Sequence, residues 1–125
     1  MAEDDGNDEE YKVQASLLKD QGNELFQAGK TAEAIIVYTQ AIDLDPDNHV
    51  FYSNRCADYM KNDSKSKALH DAEKCIEIAP KWSKGYMRLG AAQQSLKRFD
   101  NAIDTFKKGS KSIQDNEVSY NILVT

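Results

Sequence analysis

A spacing of 34 residues governs this chain. Ala34, Ala68 and Ala102 fall in one register, Gly22, Cys56 and Gly90 in a second, and Ala41, Cys75 and Gly109 in a third. Pro46 and Pro80 stand at the same offset. Small residues at fixed offsets let helices approach closely, and a proline closes a unit because it cannot continue a helix. Each unit holds two apolar patterns of helical spacing, so the period predicts a stacked solenoid of helix-turn-helix units. Solenoids of this kind usually bind other proteins, which makes the concave face the place to look for function.

Reading along the chain, the helical pattern begins near Lys12. Leu18, Leu25 and Phe26 precede a stop at Gly29-Lys30, and Ala34, Ile35, Tyr38, Ala41 and Ile42 precede Asp45-Pro46-Asp47. These bound a first repeat at about 15–48. The second, 49–82, carries Phe51, Tyr52, Cys56 and Tyr59, a polar turn at Lys61-Asn62-Asp63-Ser64, then Ala68, Leu69, Ala72, Cys75 and Ile76. The third, 83–115, carries Tyr86, Leu89 and Ala92, a turn at Lys97-Arg98, then Phe99, Ala102, Ile103 and Phe106. Residues 12–115 thus form one three-repeat domain. Residues 116–125 are expected to start a seventh helix that caps the stack. Because that stretch is apolar to its end, the chain is expected to continue in the native protein.

Charge is uneven. Residues 1–10 hold six acids and no lysine or arginine, and the remainder carries 15 acids against 16 basic residues. Residues 1–11 are therefore expected to be an acidic, disordered tail, and the body to be almost neutral. No long basic stripe favours nucleic acid, and no apolar run approaches the roughly 18–20 residues of a membrane span. Without a secretory pattern at the N-terminus, a cytoplasmic and also nuclear location is expected. Cys56 and Cys75 occupy registers filled elsewhere by glycine and alanine, which makes them small packing residues rather than a disulfide or metal pair. His49 and His70 have no companion at ligand spacing and are expected to face solvent. No metal site, cofactor or catalytic group is expected.

The repeat offsets resemble the tetratricopeptide repeat over roughly residues 15–115, with Ala72 standing where the sister units have Tyr38 and Phe106, and Gln114 where a closing proline is usual. The resemblance implies an all-α, right-handed superhelical solenoid of three repeats and six helices. Three segments are also similar to those of co-chaperone repeats: Leu18 to Asn23, Tyr52 to Arg55, and Trp82 to Arg88. The closest likeness is to the N-terminal repeat domain of the stress-inducible Hsp-organising co-chaperones. It implies a carboxylate clamp of Lys19, Asn23, Asn54, Lys84 and Arg88 for the C-terminal Glu-Glu-Val-Asp tail of the 70- and 90-kDa heat-shock chaperones.

The residues themselves support that chemistry. Lys19 and Asn23 are four apart on one helix, as are Lys84 and Arg88 on another, so each pair shares a face. The first helix of every unit lines the concave surface, which brings all five toward one groove. Three cations and two amides present many donors, complementary to a free carboxylate beside an aspartate. Paired cations and mid-helix asparagines break local helix preferences at one place, which marks a site. Ser53, Ala57 and Lys61 are expected further along the groove. The expected function is a monomeric, non-enzymatic co-chaperone adaptor. The alternatives are a targeting module of a larger prolyl isomerase, phosphatase or ubiquitin ligase, or a general protein scaffold.

Overall fold

The computed structural model describes the backbone of residues 2–124 and the side chains of residues 9–113. Six helices follow in order: α1 (Ala2–Gln27), α2 (Thr31–Leu44), α3 (His49–Lys61), α4 (Lys65–Ile78), α5 (Ser83–Ser95) and α6 (Phe99–Val124), with no strand among the described residues. They pack as the hairpins α1/α2, α3/α4 and α5/α6. Contacts of α2 with α3 and of α4 with α5 stack one hairpin on the next, while α1, α3 and α5 touch in a row. This is the all-α solenoid that the period predicts. No described helix is long and apolar enough to cross a membrane.

The three hairpin turns repeat one backbone device. Gly29, Asp63 and Lys97, each 34 residues from the next, take positive φ angles of 80°, 60° and 63°. The residue after each closes the turn: Lys30 N–H donates to Leu25, Ser64 to Tyr59 and Arg98 to Gln93, at 2.9, 2.7 and 2.8 Å. A left-handed residue followed by a bond five residues back is the usual way a helix end satisfies its last carbonyls. Between hairpins, the Tyr52 hydroxyl donates to Pro46 O at 2.8 Å and the Tyr86 hydroxyl to Pro80 O at 2.6 Å. Each tyrosine pins the proline loop to the helix that follows it.

Packing explains why Ala72 departs from its register. Gly22 leaves room for the Tyr38 ring and Gly90 for the Phe106 ring; a Cβ at either position would run into that ring. In the middle repeat the sizes are reversed, with Cys56 and Ala72 together in one buried cluster. The Cys56 thiol donates to Ala68 O at 3.2 Å. Close packing conserves volume across facing positions, so a larger residue on one helix is matched by a smaller one on its neighbour. Cys56 and Cys75 are free and buried, and burial pushes their thiols up to about 12 and about 11. They remain protonated and inert.

Three expectations change. The expected tail 1–11 is not set apart from the first repeat: from Ala2 onward it is the start of α1. The expected seventh helix at 116–125 does not start: residues 116–124 continue α6 unbroken to Val124, and Thr125 lies outside the described residues. With Gln114 in place of the proline that would have closed the repeat, nothing stops the helix. His49 does not simply face solvent; its ring meets Trp82 edge-on, centroids 4.6 Å apart. His70 is exposed, as expected.

Candidate functional site

The inner row α1, α3 and α5 surrounds a cavity of about 200 Å³ lined by Asn23, Phe26, Gln27, Tyr38, Asn54, Ala57 and Arg88. Its polar residues are tied to one another. Asn23 Oδ1 accepts from the Tyr38 hydroxyl at 2.5 Å and from Asn54 Nδ2 at 3.2 Å. This orients the amide: with Oδ1 taken by two donors, the Nδ2 end of Asn23 is the one available to a ligand. On the opposite side Arg88 Nε donates to Ser53 Oγ at 3.2 Å, which leaves the terminal guanidinium nitrogens for an acceptor.

Tyr38 stays neutral. Its hydroxyl is pushed up to about 12, chiefly by burial and then by the Asp58 carboxylate, with Arg88 acting in the opposite direction. With the Tyr38 proton spent on Asn23, the cavity wall offers the amides of Asn23, Gln27 and Asn54 and the Arg88 guanidinium, a donor-rich set suited to an anion with several acceptor oxygens.

Of the five residues expected to form the clamp, Asn23, Asn54 and Arg88 line this cavity, and Lys19 and Lys84 do not. Lys19 lies one turn before Asn23, half-buried, with Nζ 3.5 Å from Asp20. Lys84 is exposed in the first turn of α5, one turn before Arg88. A cation there opposes the helix dipole, a local cost consistent with a task at that end.

The three secondary positions differ from one another. Ala57 lines the cavity. Ser53 is 0% exposed, so the expectation of a groove contact is corrected: this stretch of α3 turns Ser53 toward α5, where it holds Arg88. Lys61 is exposed, with its ammonium 4.8 Å above the Phe26 ring, in cation–π range at the rim.

Sequence reasoning assigned Tyr38 and Phe26 to the core and overlooked Asp58. Asp58 is fully buried on α3, and among the described residues neither carboxylate oxygen has a hydrogen-bond partner. The available signal was an acid placed between the packing residues Cys56 and Tyr59. Burial pushes its carboxyl up to about 6, with Lys61 acting in the opposite direction.

A carboxyl whose folded value exceeds its unfolded one supports the fold while protonated and loses that support as pH rises through the folded value. Asp58→Ala is therefore expected to stabilise the protein by about 1–3 kcal/mol above pH 6, the usual cost of an unsatisfied buried group. The gain should disappear toward pH 4. Urea unfolding of both proteins at pH 8 and pH 4 checks it; an equal difference at the two pH values would contradict the assignment.

Among the described residues, no group of three His, Cys, Asp or Glu is arranged for a metal. A family model described as "TPR repeat" matches residues 22–63, and one described as "Tetratricopeptide repeat" matches residues 83–116. "Hsp70-Hsp90 organizing protein 1" of Glycine max is 46% identical over 103 residues, covering 82% of this chain and 18% of the relative. The chain thus spans about a fifth of that relative's length.

Two solved structures share the fold. The TPR2B domain of yeast Sti1 in complex with an Hsp70 peptide superposes with a TM-score of 0.80 at 30% identity, covering 86% of this chain and 85% of that one. The second TPR of Spaghetti (RPAP3), bound to the HSP90 peptide SRMEEVD, gives 0.76 at 33% identity, covering 78% and 91%.

Proposed function

Because this chain belongs to the tetratricopeptide-repeat family and is a relative of Hsp70-Hsp90 organizing proteins, we propose that it is a non-enzymatic co-chaperone adaptor. It binds the C-terminal Glu-Glu-Val-Asp tails of the 70- and 90-kDa heat-shock chaperones in the cytoplasm. Lys19, Asn23, Asn54, Lys84 and Arg88 form the clamp. One observation carries the reading: first helices of three successive hairpins contribute Asn23, Asn54 and Arg88 to one cavity, each oriented by a neighbour. Structures of similar domains with chaperone peptides support the same ligand class.

The chemistry follows from the donors. The chain-terminal carboxylate settles against the amide nitrogens of Asn23 and Asn54, with Lys19 supplying charge from one turn away. The last aspartate side chain meets Arg88 and Lys84. Ala57 leaves room for the valine, and Lys61 at the rim meets an upstream glutamate. Charge-assisted bonds contribute about 1.5–3 kcal/mol each, offset by the ordering of a flexible tail. A net near −7 to −8 kcal/mol, a dissociation constant of about a micromolar, is expected.

The discriminating experiment is calorimetric titration with the free-acid peptide and with its C-terminal amide. Amidation removes the charge that the clamp grips and is expected to weaken binding by at least about tenfold, the equivalent of roughly one charge-assisted bond. Full affinity of the amide would remove the clamp reading.

A further inference from the structure

We infer that Asp58 makes the groove proton-dependent: its buried carboxylate opposes a bound carboxylate and takes up a proton when an anionic tail docks. The inference rests on the clamp reading above and adds a regulation of that same site.

Placement is the first support. Asp58 lies on α3 one turn beyond Asn54 and directly after Ala57, both of which line the cavity. Its charge is felt by Tyr38, which forms part of the cavity wall and holds Asn23 through its hydroxyl. The second support is a contrast between two buried acids. Asp71, 1% exposed, is gripped by Arg55 through two bonds of 2.8 and 2.7 Å. Asp58, 0% exposed, has no hydrogen bond to either oxygen from any described residue. A carboxylate kept for structure is normally paired, because an isolated buried charge is costly and the group neutralises instead.

The charged and titratable groups on the helices packed around α3 do not compensate it. On its own helix, Lys61 lowers its proton affinity only in part. From α2 comes Tyr38, neutral with its hydroxyl at about 12. From α4 comes Asp71, already matched by Arg55. From α5 comes Arg88, directed at Ser53. From α1 comes Lys19, beside Asp20. Burial leaves the Asp58 carboxyl at about 6 in the free protein.

A docked tail brings more negative charge close by and raises the proton affinity of Asp58 further. By reciprocity, affinity for the tail is greatest where Asp58 is already protonated and falls as pH rises through and above 6. Repulsion between two like charges in a medium of effective dielectric near 20, reduced by salt, changes affinity by about three- to tenfold.

Calorimetry of the whole chain with a Glu-Glu-Val-Asp peptide tests this at pH 5.5 and 8.0. A second comparison at pH 6.5, in two buffers of different ionisation enthalpy, counts protons. The native protein is expected to bind about three- to tenfold more tightly at pH 5.5 and to take up a fraction of a proton at pH 6.5. Asp58→Ala and Asp58→Asn should each abolish the proton uptake and retain the tighter affinity at both pH values. A flat native profile overturns the inference. So does an unchanged pH dependence in Asp58→Ala, which would assign the proton to His49 or His70. Failure of the native protein to bind at any pH would instead remove the clamp reading itself.

Discussion

Replacing Arg88 with alanine is expected to reduce affinity for a Glu-Glu-Val-Asp peptide by about 100-fold or more while leaving helicity intact. Arg88 is the cation of the cavity wall, and its influence is felt by Tyr38, Cys56 and Cys75 alike. With Nε held by Ser53, its two terminal nitrogens, Nη1 and Nη2, can meet one carboxylate end-on. Two charge-assisted bonds at about 1.5–3 kcal/mol each account for a loss of two decades or more. Removing the side chain also frees the Ser53 hydroxyl, a stability cost of about 1 kcal/mol that circular dichroism and thermal unfolding will register separately. Arg88→Lys should fail to restore full binding, since an ammonium keeps the charge without the planar fork. Lys84→Ala, removing an exposed charge, should cost less. Near-native affinity in Arg88→Ala would show that the tail docks elsewhere.

The fold was legible because the period acts through sterics that sequence displays directly. Small residues at 22, 56 and 90 mark where helices cross, and the turns at Gly29, Asp63 and Lys97 share one backbone conformation. Ala72 was readable as a departure, but its reason was not: the exchange of size between Cys56 and Ala72 exists only across two helices. Both ends were misread for a related cause. An acidic segment and an apolar one each look like a change of structure when taken by composition, yet neither contains a proline to end a helix.

Within the candidate site, spacing placed Asn23, Asn54 and Arg88 on the inner row, since four residues on a helix return to the same face. Spacing does not give the rotation of α3 against α5, so Ser53 was read as a groove residue when it lies beneath Arg88. Asp58 was missed for the same reason. Whether an acid on a helix is solvated or buried without a partner depends on what the neighbouring helices place opposite it.

Asp71→Asn is expected to cost about 3–5 kcal/mol of stability, because it leaves a largely buried guanidinium without its counter-charge and with one of its three acceptors gone. Arg55 Nε and Nη2 donate to the two Asp71 oxygens at 2.8 and 2.7 Å, and Nη1 donates to Thr39 Oγ1 at 3.1 Å. The hydroxyl of Thr39 in turn donates to Ile35 O at 2.7 Å. The guanidinium carbon lies 5.8 Å from the Tyr52 ring centre and 5.5 Å from that of Tyr59. This one side chain on α3 therefore joins α2 of the first repeat to α4 of the second. For a domain of this size, such a loss lowers the thermal midpoint by more than about 10 °C. The pair itself need not be net stabilising: replacing both members by apolar residues of similar volume, as in Arg55→Met with Asp71→Leu, should recover most of the loss. Urea unfolding of Arg55→Met, of Asp71→Leu and of the double variant closes the cycle. Additive losses across it would show that the two groups act independently and that their contact does not anchor α3. Because Arg55 follows Asn54 directly, that anchor also fixes how α3 is rotated toward the cavity. The double variant should therefore regain stability before it regains full affinity for the peptide.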